Sequence, residues 1–440
     1  MMLLLFERIL LGILLVIAGG MVIHTPLTLW LGTQWPGGEL FIKAWKELLM
    51  GVALVLLIVS SVQRNMVNRL LSDRLMQLCL VFAGLHFVMI AVFQNGLQTA
   101  GAGLLIDLRF ILYFVLVYGF ITLFPQFRRL FIWVLAGGAV VVIGFALLQI
   151  LVLPRDFLAT IGYSKATIAP YLTVDENPAF VRINSTLRGP NPLGAYAVIM
   201  IGLLAALSVR WKLQQRSWWL AGAAAVAVGM TLGATYSRSS LIAAVATLAV
   251  VVIAVVASKT RKQIVIGLAI AAVLIAGVLY VLRDSYVVSN VILHNNPATG
   301  ANIDSNTGHV DSLADGVMRM LRQPLGAGVG STGSASLLGD KPIVIENHYL
   351  LVAHEVGWLG LAVFGWLFVE IMIRLWRRRQ SALALGVFGS GVGLAIIGLL
   401  LPVWTDDTVS IVWWGLAAVA VAAPVAVVKA PKKAKKKHAA

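Results

Sequence analysis

The sequence predicts an all-α polytopic integral membrane protein with about twelve spanning helices. Hydrophobic residues fill 60% of the 440 positions, and charged residues fill only 12%. The mean hydropathy of +0.92 excludes an ordinary soluble domain. Apolar runs of bilayer-crossing length recur along the chain, and irregular backbone cannot face lipid, so the fold class is a helix bundle.

The apolar runs predict where each span lies. The spans are roughly 5–23, 45–63, 75–94, 103–124, 130–153, 192–209, 217–236, 239–257, 263–283, 348–373, 381–401 and 408–428. They divide the chain into helices 1 to 5 (1–153), a polar loop (154–191), helices 6 to 9 (192–283), a large loop (284–347), helices 10 to 12 (348–428) and a basic tail (429–440).

Basic residues occupy every second gap between the apolar runs. They are Arg64, Arg69, Arg74, Arg128, Arg129, Arg210, Lys212, Arg216, Lys259, Arg261, Lys262, Arg374, Arg377, Arg378, Arg379 and the tail from Lys429 to Lys437. Cationic side chains collect on the cytoplasmic face, so these gaps and both termini are predicted cytoplasmic. The net charge of +16 is largely this signal and does not predict nucleic-acid binding. The tail is either a topogenic anchor or a contact with anionic membrane lipid.

Four ionisable residues contradict this bias because they fall in or beside the outward gaps. They are Arg182, Arg188, Arg238 and His348. Outward arginines need a local reason, and an anionic ligand handled outside the cytoplasm is the leading one.

Arg188 and Asn191 stand where the sixth span begins. The run Gly189-Pro190-Asn191-Pro192 predicts a turn, and proline is tolerated in a first helical turn because its missing N–H has no partner there. The free N–H groups of this helix start then face outward, which favours anion binding. A plain helix cap with an interfacial arginine explains the same residues.

Arg238 stands at an outward hairpin tip, Thr235-Tyr236-Ser237-Arg238-Ser239. So tight a turn makes its two helices antiparallel neighbours and keeps the guanidinium near the membrane surface. There it either clamps a phosphate in bidentate fashion or meets lipid headgroups.

The large loop contains a predicted helix from about Val310 to Leu321, with Arg319 near its end. The glycine-rich run 324–330 that follows lacks the Lys-Ser or Lys-Thr of a Walker loop, so no nucleotide site is predicted. Loops this long between membrane helices are usually functional.

His348 follows that loop directly, between Glu346 and Tyr349. A neutral imidazole near the water boundary can take a proton from a hydroxyl group, although a capping histidine is the alternative. Glu355 shares its helical face but lies about 10 Å along the axis, too far to orient the ring directly.

Two further polar features have structural interpretations. Asp107 and Arg109, towards the outer end of the fourth span, either line the same cavity or form a structural pair. The segment 24–44 and the adjoining Lys46 contain His24 and several tryptophans and lysines, which predict interfacial anchors. No compact ligand spacing predicts a metal site, and a single cysteine, Cys79, excludes an intrachain disulfide.

Four motifs together resemble the O-antigen ligase and polymerase superfamily. They are Pro-Asn-Pro-Leu-Gly at a helix start, Tyr-Ser-Arg-Ser-Ser at a hairpin tip, Gln-Pro-Leu-Gly-Ala-Gly late in a large loop, and Glu-Asn-His-Tyr-Leu with Glu355 and Gly357 beyond it. The motifs cover about residues 180–375, and their order, side and spacing make the resemblance fairly specific.

The resemblance implies a GT-C-like, inverting and metal-independent glycosyltransferase of the bacterial inner membrane, without a cofactor. The donor would be O-antigen on undecaprenyl diphosphate, and in the ligase branch the acceptor is a sugar hydroxyl of lipid A-core on the periplasmic face. It implies that His348 is the base and that Arg188 and Arg238, with Arg182 as a weaker candidate, bind the donor diphosphate. Arg109, Asn191, Arg319, Glu346 and Tyr349 are candidates for the cavity wall.

One departure and three alternatives accompany the resemblance. Tyr349 stands where a small polar residue, often Asn, is common in the family, which affects the hydrogen bonding expected around His348. A polymerase and a protein O-oligosaccharyltransferase use similar donors, although the first commonly has two large outer loops and the second a longer C-terminal region. A transporter or flippase for an anionic lipid is a different class, which predicts ionisable groups near the bilayer midplane.

Overall fold

The computed structural model describes residues 4–35, 37–210, 215–256, 258–286, 288–293, 305–340 and 342–422. Helices make up 78% of the structure, and the described part of the chain contains one two-stranded sheet. The all-α fold class is therefore confirmed. The predicted basic tail at 429–440 lies outside the described residues.

The helices follow one another with short connections, except at two long loops. In chain order they are α1 Leu5–Gly20, α2 His24–Gln34, α3 Glu39–Gln63, α4 Val67–Leu71, α5 Arg74–Val92, α6 Leu97–Leu123, α7 Arg128–Leu151, α8 Pro190–Arg210, α9 Gln215–Ala234, α10 Arg238–Val255, α11 Ser258–Val281, α12 Ser305–Arg322, α13 Gly333–Ser336, α14 His348–Arg377, α15 Ala382–Gly398 and α16 Asp407–Ala422. Short helical turns are Met21–Ile23, Pro125–Phe127, Phe157–Ile161, Val288–Leu293 and Val403–Thr405, and the strands are β1 Leu172–Val174 and β2 Asn177–Arg182.

Each of the twelve predicted spans overlaps one of these helices. Among the described residues, 8 helical stretches are long and apolar enough to cross a membrane: Leu5–Gln34, Phe41–Gln63, Arg74–Val92, Leu97–Leu123, Pro125–Leu151, Pro190–Arg210, Arg238–Val255 and His348–Arg377. Trp218–Ala234, Ala382–Gly398 and Asp407–Ala422 are shorter apolar helices. The chain is thus a multi-pass membrane protein.

Tryptophan and small residues both shape the interior of the bundle. Trp404, Trp413 and Trp414 are fully buried, and Phe110 of α6 packs on Trp414 with ring centroids 5.0 Å apart. The α8–α15 interface is close because it contains Gly202, where a Cβ atom would meet the Gly386 carbonyl at 2.6 Å. Small residues bring membrane helices together in this way.

The start of α14 is fixed by a side-chain cap. Asn347 Oδ1 accepts hydrogen bonds from the N–H groups of Tyr349 and Leu350, at 2.9 and 3.0 Å. The Asn347 amide also donates to the Leu399 carbonyl at the end of α15, at 2.8 Å. The cap satisfies two N–H groups that a helix start leaves free, so it sets the position of His348.

A break at Gly357 divides α14. Its φ of 71° lies in the region that favours glycine, and the backbone groups released there bond to the glycine-rich run. Trp358 N donates to the Pro324 carbonyl, and Ala327 N donates to the His354 carbonyl, at 2.9 and 2.6 Å. The run is therefore attached to α14 on both sides of the break.

The segment predicted to anchor at the membrane interface differs from that prediction. It forms α2 and the start of α3, but His24 and Lys46 are buried, with 6% and 3% exposure. The interpretation of these two residues as interfacial anchors is therefore wrong. Their burial is possible because acidic groups from α3 and α16 pair with them.

Candidate functional site

A cavity of about 400 Å³ lies among the N-terminal parts of α6, α8, α14 and α16 and the end of α15. The segment 332–345, late in the large loop, forms another part of its wall. Its polar and charged lining includes Asp107, Arg109, Arg188, Asn191, Thr332, Ser334, Glu355, Thr405 and Asp406, and its apolar lining includes Ile106, Ala195, Leu337, Val344, Leu351 and Val409. Residues distant in the sequence thus meet at one site of mixed polarity.

Arg188 and Asn191 lie on the cavity wall at the start of α8, so the structure brings these two predicted site residues together. Arg188 is exposed and contributes positive charge near Asp406. The helix start beside it adds the positive end of the α8 dipole. This part of the cavity is suited to an anionic group.

Asp406 gives the same wall an acidic group. Burial and the neighbouring Asp407 carboxylate raise its pKa to about 6, because both disfavour the charged form, and Arg188 and Arg109 offset only part of this effect. Its side chain also accepts a hydrogen bond from Val409 N at 2.9 Å. Asp406 therefore changes charge within an ordinary pH range.

Arg182 holds a residue of the cavity wall in position. Its Nη2 donates to Asn191 Oδ1 at 2.7 Å, and its Nε donates to the Thr235 carbonyl at 2.8 Å. Burial lowers its pKa to about 10, with Asp175 opposing the shift and Arg238 adding to it. Arg182 thus orients Asn191 and joins β2 to the hairpin tip.

Arg238 lies elsewhere. It begins α10, is half-buried, and its Nη1 donates to the carbonyl groups of Ile292 and Leu293 at 3.3 Å each. In the described part of the chain it is not among the residues of the cavity wall. It stands close enough to Arg182 to affect the pKa of that residue, so it is a neighbour of the cavity.

Arg109 of α6 is a wall residue, as predicted, and its guanidinium is paired with acidic groups of other helices. It bonds to the Thr405 carbonyl, and its Nη1 lies 3.7 Å from Asp407 Oδ2 and 3.9 Å from Glu47 Oε1. Lys46 and His24 approach the same Asp407 oxygen at 3.3 and 3.2 Å. We call the five ionisable residues His24, Lys46, Glu47, Arg109 and Asp407 the ion network.

His348 is buried, with 2% exposure. Its ring borders a second, much smaller cavity of about 10 Å³, together with His86, Asp107 and Glu355. Among the described residues, neither ring nitrogen has a hydrogen-bond partner. Asp107 and Glu355 also line the large cavity, so His348 lies directly behind its wall.

Three other predicted wall residues are placed away from the lining that the described residues form. Arg319 bonds to Asp315 within α12 at 2.6 Å. Glu346 pairs with His309, and this hydrogen bond raises the pKa of His309. The Tyr349 hydroxyl donates to the Ala395 carbonyl at 2.9 Å. Tyr349 therefore packs against α15, while its neighbour His348 faces the small cavity.

Sequence reasoning missed two features of the site. Asp406 was not singled out, although adjacent acids at the start of an apolar helix are a visible signal of a special environment. Glu355 was judged only by its distance from His348, but it borders both cavities. Asp107 and Arg109 do line one cavity, yet their carboxylate and guanidinium face different partners.

Within the described residues, no group of three or more His, Cys, Asp or Glu side chains is placed to hold a metal ion. No protein-family model matches the chain, and no curated protein matches it significantly. The fold and the site together define a multi-pass helical membrane protein with a mixed-charge cavity among its helix ends.

Proposed function

We propose that the protein is an O-antigen ligase. It would move O-antigen glycan from undecaprenyl diphosphate to a sugar hydroxyl of lipid A-core, with inversion and without a metal ion or cofactor. We call His86, Asp107, His348 and Glu355 the His348 cluster. The observation that carries this proposal is that Arg188, Asn191 and the two acids of this cluster line one cavity. Its size of about 400 Å³ is typical of a small-molecule site.

The chemistry needs a group that stabilises a leaving diphosphate and a group that takes a proton. Arg188 and the α8 helix start supply positive charge at the wall. Arg182 holds Asn191 in position, and Arg238 adds positive charge nearby. His348 is the proposed base, because its buried ring has two nitrogens without a partner among the described groups.

The proposed topology has twelve spans, with both termini cytoplasmic and the 284–347 loop on the periplasmic side of a bacterial inner membrane. The chain contains one cysteine, and Cys79 is buried, so added cysteines can be labelled selectively. Asp315→Cys in α12 is expected to react with a membrane-impermeant maleimide in intact spheroplasts. Arg129→Cys is expected to react only after the membrane is opened. The reverse pattern would contradict the topology.

Transfer in vitro tests the function directly. Purified protein, lipid-linked glycan, lipid A-core and a chelator are combined, and joined product is measured. Arg188→Ala is expected to raise the donor KM roughly 10- to 100-fold because a charge-assisted contact is lost. Arg319→Ala is the matched control, since this arginine lies on α12 and pairs with Asp315.

The identity of the product distinguishes the ligase from the alternative functions. Glycan chains that lengthen on the polyprenyl carrier would indicate a polymerase, and glycan joined to protein would indicate an O-oligosaccharyltransferase. The ion network favours one further class, because buried ionisable groups among membrane helices also mark transport pathways. Movement of lipid-linked glycan across vesicles, without covalent product from any acceptor, would support a flippase and contradict the ligase.

A further inference from the structure

Two acids and a leucine separate the large cavity from the small cavity at His348. Asp107, Leu351 and Glu355 line both spaces, whereas the described wall of the large cavity does not include His348. A hydroxyl group in the large cavity would therefore meet a carboxyl group before it meets the imidazole. This arrangement raises the question of how a proton reaches His348.

The two carboxyl groups are held against each other. The Asp107 and Glu355 side chains are within hydrogen-bonding reach, and two carboxyl groups can bond in this way only when they share a proton. Glu355 is fixed by Gly330 N at 2.9 Å and Thr332 N at 3.3 Å. These two N–H groups fix the position of the Glu355 carboxyl group beside Asp107.

Histidines flank the acid pair. His86 Nδ1 lies 2.9 Å from the Phe82 carbonyl, so this nitrogen carries the proton when the ring is neutral. Its Nε2 then faces Asp107 Oδ2 at 3.9 Å without a proton of its own. The His348 ring lies beside the same small cavity.

Several polar atoms at this place lack a partner among the described groups. They are both ring nitrogens of His348 and Asp107 Oδ2. Buried polar atoms are normally hydrogen-bonded, and the small cavity of about 10 Å³ is about the size that holds one water molecule. One water there would connect the Asp107 carboxyl group to the His348 ring.

We propose that Asp107 and Glu355 are the groups that receive the acceptor proton at the cavity wall, and that they pass a proton through one water molecule to His348. This inference rests on the proposed function. The acceptor oxygen forms a bond to the anomeric carbon as the bond from that carbon to the diphosphate oxygen breaks, and that electron pair leaves with the diphosphate. The hydroxyl proton goes to the acid pair, the proton already shared there passes to His348, and the pair keeps one negative charge.

Glu355 also has a structural role, since it ties residues 330–332 to α14, so the test must separate the two. Asp107→Asn keeps the size of the side chain and leaves both Glu355 bonds in place. We expect kcat to fall roughly 100-fold or more with unchanged KM values for donor and acceptor. His354→Gln is the matched control, because His354 is also buried without a ring partner in the described part of the chain but does not border the small cavity.

A double variant tests whether the residues act in sequence. Members of one relay give losses that do not add, so Asp107→Asn combined with His348→Gln is expected to be little slower than the slower single variant. Multiplied losses would indicate two independent roles and would overturn the relay.

Chemical rescue distinguishes the loss of a carboxyl group from a folding defect. Formate is expected to restore activity to Asp107→Ala, whereas formamide, of similar size but unable to accept and release the proton, is not. Equal rescue by both, or wild-type kcat in Asp107→Asn, would overturn the relay while leaving the transferase intact. Wild-type protein that yields no product would overturn the proposed function itself.

Discussion

Two clusters of ionisable residues flank the same cavity, and they differ in how completely their groups are paired. In the ion network, Asp407 contacts His24, Lys46 and Arg109 at 3.2 to 3.7 Å. In the His348 cluster, both imidazole nitrogens lack a partner among the described groups. Paired buried charges can thus serve cohesion, and under the proposed function the open His348 cluster serves proton transfer.

The first prediction concerns the open cluster and has the largest expected effect. His348→Gln should lower the transfer rate roughly 10²- to 10⁴-fold, because a proton acceptor is lost, while the melting temperature in detergent changes little. His354→Gln should keep the rate. If His348→Gln instead lowered stability and left the rate of the folded fraction unchanged, the two clusters would have the same role.

The second prediction concerns the ion network. Asp407→Asn should lower the free energy of unfolding by about 3–5 kcal/mol, because it leaves buried cations without their shared carboxylate. Denaturant or thermal unfolding in detergent measures this loss. A small change would mean that the network is not needed for cohesion, and the contrast with the His348 cluster would fail.

Asp406 adjoins the ion network and is the subject of the third prediction. The folded-state pKa of Asp406, about 6, lies above the ordinary value of 3.8, so burial favours its neutral form. The resulting stability is fully present below about pH 4 and is lost as pH rises through 6. Asp406→Asn should therefore stabilise the protein at pH 7 to 8 by about 1–3 kcal/mol.

The control for Asp406→Asn is pH itself. Below pH 4, wild type and variant should unfold at nearly the same denaturant concentration, because the wild-type carboxyl group is then neutral. A stabilisation that is independent of pH would show that packing, rather than charge, explains the difference.

The sequence was sufficient for the helices and for part of the site. Apolar run length predicted the long apolar helices to within a few residues at most ends, because that length is set by the bilayer. It also identified Arg188 and Asn191, since the proline turn positions them at a helix start. These features depend on local sequence.

The pairing of charges could not be predicted in the same way. Asp107 and Arg109 are two residues apart and therefore point to different sides of α6, where each meets helices that are distant in the sequence. Lys46 resembled an interfacial anchor because its partner Asp407 lies 361 positions further along the chain. Arg238 faces the Val288–Leu293 turn for the same reason.

The break at Gly357 makes α14 two mechanical units. The first unit carries His348 and Glu355 and is bonded to the glycine-rich run through the His354 carbonyl. The second unit begins at Trp358, whose N–H donates to the same run at Pro324. The glycine-rich run thus holds both sides of the break, so a displacement of this run would act on α14 at Gly357 itself.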